Sequence, residues 1–301
     1  MSEFTWGVIL AGYLFLGGLS GGAYIIGAIA DLMKKDEYAV LSKSGILASF
    51  VSIILGLVLL VLDLKRFEVA PLVILHAYTH FPESIMSIGT WIITAFTIVS
   101  FVTVLLWYLH GSVLIRKAVE VIGIVLGLAT AAYTGILLSF ARGVPFWGSS
   151  FLPWLFVLSG ILTGLAIAVI LIPIGAEFMP RILSDFKTMW STTTQYARLI
   201  EYTDRYAQVI ITLETLVMLL YFVTTPTTNI VWGGSAISMY FYAYILLALL
   251  LPLGISVYNL RLVEKRQYRT MIYLTLIASM LVLIGGFLLR YIVLIGGQMI
   301  Y

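Results

Sequence analysis

The stretch Gly12-Tyr-Leu-Phe-Leu-Gly-Gly-Leu-Ser-Gly-Gly-Ala-Tyr-Ile-Ile-Gly-Ala28 decides how this chain is read. It lies inside an apolar run, Trp6 to Ala30, long enough to cross a bilayer. Gly17 and Gly21 are four residues apart, and so are Gly18 and Gly22. On a helix this spacing strips one side of side chains, so a neighbouring backbone or a flat ligand can approach closely. Two uses fit the pattern: helix packing alone, or packing beside a cofactor-sized slot. Glycine spacing does not choose between them.

The rest of the composition agrees with a membrane setting. Of the 301 residues 61% are hydrophobic and only 10% charged, against roughly a quarter charged in a soluble domain. No stretch is polar enough to form a separate water-soluble domain, so the chain is read as one integral membrane domain, 1–301. Only Ser2 and Glu3 precede the first apolar segment; without a basic n-region that segment is expected to stay as a helix rather than be cleaved. The chain has no cysteine, which excludes disulfides, thiolate-bound zinc and iron–sulfur clusters held by this chain. A net charge of +3, with its basic residues in short loops, is no nucleic-acid signature.

Eight spans follow, at about 4–30, 39–63, 84–110, 117–140, 151–174, 205–225, 235–260 and 271–297. Such runs in a bilayer require α-helices, and the alternation of a membrane β-barrel is absent. The expected fold is all-α with eight transmembrane helices. The first, third, fifth and seventh connectors carry thirteen lysines and arginines, among them Lys34, Arg116, Arg181 and Arg266; the opposite side has only Lys65, Arg66 and Arg142. The positive side is normally cytoplasmic, which puts both termini outside, in a cell-membrane protein. The connector 175–204 reads as a loop with a short amphipathic helix on the inner surface. The outer loop 64–83, with Pro71, His76, His80 and Pro82, is the largest outward surface. It reads either as a docking site for another subunit or as a plain interfacial loop.

Ionisable groups at membrane depth usually pair or line a functional cavity. Arg290 and Tyr133 each fall about seven residues, roughly 10 Å, from the outer end of their spans. Asp63, Glu83 and Gln298 sit at the same side. Deeper are Glu214, in the sixth span, and Glu177, at the inner end of the fifth, with Glu201, Asp204 and Arg205 at the inner surface. Asp63, Glu214 and Glu177 are the candidate proton-transfer groups. Plainer readings also exist: Glu214 as a buried acid paired with Arg290, Asp63 as an interfacial partner of Lys65 or Arg66. The three histidines, His76, His80 and His110, put no pair at a common depth within spans, so a haem is not expected. His76 and His80 lack a third metal ligand, and no metal site is expected.

Several stretches together resemble the NrfD/PsrC family, the membrane subunits of polysulfide reductase and related complex iron–sulfur molybdoenzymes. They are Tyr13-Leu-Phe-Leu-Gly-Gly-Leu-Ser-Gly-Gly-Ala-Tyr24, Asp63-Leu-Lys-Arg66, Ser84-Ile-Met-Ser-Ile-Gly-Thr-Trp91 and Tyr133-Thr-Gly-Ile-Leu-Leu-Ser139. Leu152-Pro-Trp-Leu-Phe-Val-Leu-Ser159, with Thr163-Gly164, and Gly285 to Gln298 complete the set. The pieces run in family order over essentially the whole chain.

The resemblance implies two four-helix bundles, about 1–140 and 151–301. It implies no redox centre in this chain, and a quinone, menaquinone or similar, bound near the outer face. The implied partners are a four-cluster ferredoxin-like iron–sulfur subunit docked there and a molybdopterin catalytic subunit. Family quinone sites use a tyrosine of the fourth span, here Tyr133, and polar groups of the first. Here the first span offers Tyr13, Ser20 and Tyr24, with no histidine or asparagine. Arg290 and Gln298 complete the candidate cofactor-binding set, Arg290 and Tyr133 being expected to share one outward-opening crevice. The rival readings are a small-molecule transporter and a purely structural anchor. No repeat between the halves 1–150 and 151–301 supports the transporter.

Overall fold

The computed structural model describes residues 7–33, 38–63, 77–109, 111–140, 144–179, 183–225 and 236–299. Among these residues the secondary structure is helical, with no strand. The helices are α1 (Val8–Leu32), α2 (Ala39–Asp63), α3 (Ile85–Tyr108), α4 (Val113–Ser139), α5 (Leu152–Phe178) and the short α6 (Ser184–Ser191). Then come α7 (Thr193–Thr224), α8 (Ala236–Tyr244), a π-helical stretch (Ile245–Leu250), α9 (Leu251–Glu264) and α10 (Tyr268–Gln298). With α8 to α9 counted as one span, eight helices are long and apolar enough to cross a membrane.

Two helices are central. The most apolar windows of α1 and α5 are 72% and 78% buried, against 28–44% for the other six spans. α1 packs on α2, α4, α5 and α10, and α5 on α1, α2, α4, α7 and α10. α1 can serve as this hub because glycines bring its backbone onto its neighbours. A Cβ on Gly22 would fall on the carbonyl of Gly160, and one on Gly164 would fall on the backbone of Gly22 and Ala23. One on Gly160 would meet the carbonyl of Gly18 at 2.6 Å. The pairs Gly18/Gly22 and Gly160/Gly164 are therefore the two halves of one backbone-to-backbone crossing. Gly21 does the same against Gly127 of α4, and Gly27 against Gly45 of α2. Both glycine rows of α1 are thus occupied by neighbouring helices, which is the packing use of the motif.

The sixth span differs from its expected limits. The helix starts at Thr193 rather than near 205 and runs unbroken to Thr224. Its first three turns carry charges that hydropathy reads as loop. In three dimensions those charges are placed: Arg205 donates to Glu201 one turn earlier at 2.7 Å, and Asp204 is buried among side chains of α9 and α10. The expected short amphipathic helix is α6. It buries Phe186 and Met189, and its Asp185 pairs with Lys43 of α2. Pro252 follows the π-helical stretch, where a missing N–H and a widened turn coincide.

The α1–α5 crossing gives a test. Gly22→Ala forces a methyl group onto a carbonyl and is expected to destabilise the protein by about 1–3 kcal/mol. Gly254→Ala, with nothing within 4 Å of the added carbon, is expected to be neutral or slightly stabilising. Unfolding of the purified variants by titration of a denaturing detergent compares the two.

Candidate functional site

α1 separates the polar interior into two sides. Gly17 and Gly21 approach α4, where Thr134, Ala131 and Gly127 stand; Gly18 and Gly22 approach Arg290 and α5.

Tyr133 lies on the α4 side. It is 7% exposed, and the hydroxyl end of its ring lies against Gly89 of α3, where any Cβ would fall on the ring's Cζ. Gly89 opens the third span, so the ring fills a notch that only glycine leaves. Tyr13 of α1, 4% exposed, is close enough to Tyr133 for the two phenols to interact electrostatically. A buried phenol normally finds a hydrogen-bond partner. Tyr196 donates to the carbonyl of Val169 at 3.0 Å, Tyr221 to that of Phe146 at 2.6 Å, Tyr244 to Glu214 at 2.9 Å, and Tyr24 shares a 2.7 Å bond with Thr103. The hydroxyls of Tyr13 and Tyr133 make none with the described residues. Two phenols that bond no described residue are donor groups of the kind that can meet a ligand carbonyl.

The other first-span candidates are engaged by protein. Ser20 donates to the Ser49 carbonyl at 2.8 Å and lies 3.2 Å from the Ser49 hydroxyl, joining α1 to α2. Tyr24 reaches Thr103 of α3.

Arg290 meets α1 at Gly18, on the glycine row that faces α5, whereas Tyr133 adjoins Tyr13. Arg290 is fully buried. One terminal nitrogen donates to Ser159 Oγ at 2.7 Å and to the Gly286 carbonyl at 2.9 Å, and the other to the Phe156 carbonyl at 3.2 Å. Rings of Phe156 and Phe15 lie 5.3 and 5.7 Å from the guanidinium carbon. Glu214, fully buried, accepts from Tyr244, and its second oxygen has no partner. Arg290 and Glu214 form no ion pair within 4 Å; Ser159 stands between them and they sense each other electrostatically. The four groups Arg290–Ser159–Glu214–Tyr244 tie α5, α7, α8 and α10 together. Tyr244 immediately precedes the π-helical stretch, whose Ala248 packs on Gly285.

Gln298 donates to the Leu294 carbonyl of its own helix at 3.1 Å. Asp63 is half-buried and ends α2, and Glu177 is exposed near the end of α5. Pro71, His76, His110, Lys65 and Arg66 lie outside the described residues. The described end of the 64–83 connector folds back on α3, Tyr78 bonding Thr94 at 2.6 Å and meeting the Trp91 ring edge-on.

Two acidic sites escape a reading by depth alone. Asp204, expected at the inner surface, is 7% exposed and accepts from Asn259 at 2.7 Å and Thr275 at 3.3 Å, beside a cavity of about 40 Å³, large enough for a water molecule. Glu120 of α4 is fully buried, next to Arg116 one turn before it. The Arg116–Glu120 spacing of four residues within an apolar run is the available signal for it.

With this geometry in place, the protein can be set beside known ones. A family model described as polysulphide reductase, NrfD, matches residues 1–301. The chain belongs to the NrfD family. The C subunit of the polysulfide reductase of Wolinella succinogenes is 30% identical over 186 residues, 54% of this chain and 56% of that protein. Protein NrfD of Escherichia coli is 26% identical over 204 residues, 58% of this chain and 62% of that protein. The matched part thus spans less than two thirds of either relative. Family membership and eight apolar helices together make this a multi-pass membrane protein of a family named for a redox enzyme.

The notch under Tyr133 is testable directly. Gly89→Ala is expected to displace the Tyr133 ring and destabilise the protein by about 1–3 kcal/mol, whereas the double variant Gly89→Ala with Tyr133→Ala is expected to recover most of that loss. Unfolding of the single and double variants in detergent measures the coupling.

Proposed function

We propose that this NrfD-family chain is the membrane subunit through which a respiratory oxidoreductase complex exchanges electrons with quinone in the bilayer. The observation that carries the reading is a pair of neighbouring phenols, Tyr133 against Gly89 and Tyr13 near it, whose hydroxyls bond no described residue. Membership of a family named for polysulphide reductase supports a place in a redox complex.

A bound quinone, menaquinone or similar, supplies two-electron, two-proton chemistry that no group of the chain itself provides. The Tyr133 hydroxyl donates a hydrogen bond to one of its carbonyl oxygens, and the neighbouring Tyr13 phenol fixes orientation. Hydrogen bonds of this kind matter when they strengthen as charge develops on the oxygen. The apolar walls of α1, α3 and α4 exclude bulk water and accept the tail.

The excess of lysine and arginine on one side supports an orientation with that side in the cytoplasm and both termini outside, in the cell membrane. Tyr133 is then near the outer face. An iron–sulfur subunit of the four-cluster ferredoxin-like class docks there, with a molybdopterin subunit completing the complex. Asp63, at the outer end of α2, exchanges protons with the outside. Arg290, held by Ser159 and two carbonyls, positions the α5–α10 contact rather than a quinone oxygen. Glu214, with one free carboxyl oxygen, and Glu177 offer a proton connection in the second half of the chain.

Tyr133→Phe removes the donor and keeps the ring on Gly89. It is expected to lower menadiol-linked turnover of the complex by about ten-fold or more, the worth of one hydrogen bond of about 1.4 kcal/mol, with assembly unchanged. Turnover assays in native membranes, alongside co-purification of the partner subunits, test this; unchanged kinetics would remove Tyr133 from the site.

A further inference from the structure

Glu120 is a carboxylic acid with zero exposure, its oxygens lying beside the Asp31 carboxyl and the Trp107 indole. Its neighbours come from three helices. Arg116 of the same helix lies 3.7 Å away, and Arg116 also grips Asp31 of α1 through bonds of 3.1 and 3.2 Å. The guanidinium lies 3.7 Å from the Trp107 ring of α3, whose indole N–H is close to Glu120. Lys43 stands 5.4 Å from the centre of that ring and is itself paired with Asp185. Two carboxyl groups share one guanidinium, so the trio balances its charge when one carboxyl carries a proton.

From this cluster a line of hydroxyls leads along α1. One turn past Glu120, Gly123 makes room for the ring and hydroxyl of Tyr24, which Glu120 reaches electrostatically. Tyr24 bonds Thr103 at 2.7 Å. Ser100, one turn from Thr103 on α3, lies 3.4 Å from Ser49, and Ser49 lies 3.2 Å from Ser20. Ser20 is two helical turns from Tyr13, about 10 Å, with side-chain-free Gly17 between them, and Tyr13 adjoins Tyr133. Crossing that gap is the part of the route that water would have to supply. Each hydroxyl in the line can donate and accept, so each can pass a proton on while taking another.

We propose that Glu120 is the group that exchanges protons between the Tyr133 site and the face bearing the lysine- and arginine-rich connectors, through Tyr24, Thr103, Ser100, Ser49, Ser20 and Tyr13. The proposal rests on the reading of Tyr133 as the quinone-binding residue. Each two-electron turnover with the iron–sulfur partner takes up or releases two protons. Every proton entering the line at Glu120 displaces one at Tyr13, and the hydroxyls then turn back; the route reverses for quinol oxidation. Glu120 acts at a distance from the reacting atoms, as a relay.

The test uses the full complex in sealed vesicles with menadiol as the quinol, reading menadiol binding by tryptophan quenching, turnover, and proton exchange at each membrane face with a trapped pH dye. Glu120→Gln and Thr103→Val are expected to bind menadiol as the wild type does, lose about ten-fold or more in turnover, and lose proton exchange at the lysine- and arginine-rich face. Glu120→Asp is expected to restore part of both. Thr103→Val leaves the Arg116 cluster intact and decides the matter should Glu120→Gln not assemble. Turnover within about two-fold of wild type and intact proton exchange in both variants, with Tyr133→Phe impaired, overturn the relay and leave the quinone site standing. Loss of that exchange in Glu214→Gln alone also overturns it. If Tyr133→Phe changes neither binding nor turnover, the quinone reading fails and the relay falls with it.

Discussion

In a bilayer, lipid tails are as apolar as leucine, so helices gain little by hiding side chains from their surroundings. What holds them together is close contact between backbones and the hydrogen bonds that close contact permits. In this protein that contact is made by α1. Its glycines meet Gly160 and Gly164 of α5, Gly127 of α4 and the Gly45 turn of α2. Three helices touching one backbone leave α1 no freedom to rotate or slide, and the position of every polar group inside follows from it.

One consequence is the division of the interior. On one side of α1 stand hydroxyls: Tyr13, Ser20 and Tyr24, with Tyr133, Ser49, Ser100 and Thr103 facing them. On the other stand the buried charges, Arg290 and Glu214, joined through Ser159 and Tyr244. The two sides have different physics. A guanidinium out of water must be held by several acceptors, and once held it is a fixed strut; Arg290 has Ser159 and two carbonyls, and its neighbourhood is rigid for that reason. A hydroxyl is both donor and acceptor and can reverse its direction without moving its oxygen. Rigid charge on one side and reversible hydroxyls on the other suit one half for holding the fold and the other for passing protons.

Much of the fold is legible in the sequence, because hydropathy and length alone define eight spans, and span two, 39–63, coincides with Ala39–Asp63. The sixth span reads about twelve residues short, since Arg198, Glu201, Asp204 and Arg205 look like a surface loop until Asn259 and Thr275 are brought to Asp204 from helices far along the chain. The depth of Arg290 and of Tyr133 can be counted from the ends of their spans; which way each faces cannot. Rotation of a helix about its axis depends on which glycine row meets which neighbour, and Gly17/Gly21 and Gly18/Gly22 look alike in a linear sequence. That is why Tyr133 and Arg290, similar in counted depth, suggest one crevice in the sequence although Arg290 meets α1 at Gly18 and Tyr133 packs on Gly89 of α3. Glu120 escapes notice for a related reason: it lies near the end of its span, and the closeness of Trp107, Asp31 and Tyr24, which buries it, shows only in the fold.

A buried phenol without a partner is the exception in this protein. Tyr24, Tyr196, Tyr221 and Tyr244 show that the fold readily supplies acceptors to tyrosines in its core. The Tyr13 and Tyr133 hydroxyls are not closed off by protein in that way and are not among the buried unpartnered atoms, and this difference needs a reason. Packing does not give one, since a phenylalanine would fill the notch on Gly89 equally well without a hydroxyl to satisfy. A ligand that accepts a hydrogen bond does give one. A donor already satisfied by protein would have to break that bond to bind such a ligand and would gain little from the exchange. A donor held ready by a glycine notch contributes its full strength, and does so most where negative charge grows on the ligand oxygen. The glycine rows that fix α1 and the glycine that seats Tyr133 thus serve one end: they hold a hydroxyl open to a ligand within a structure that bonds its other buried tyrosines internally.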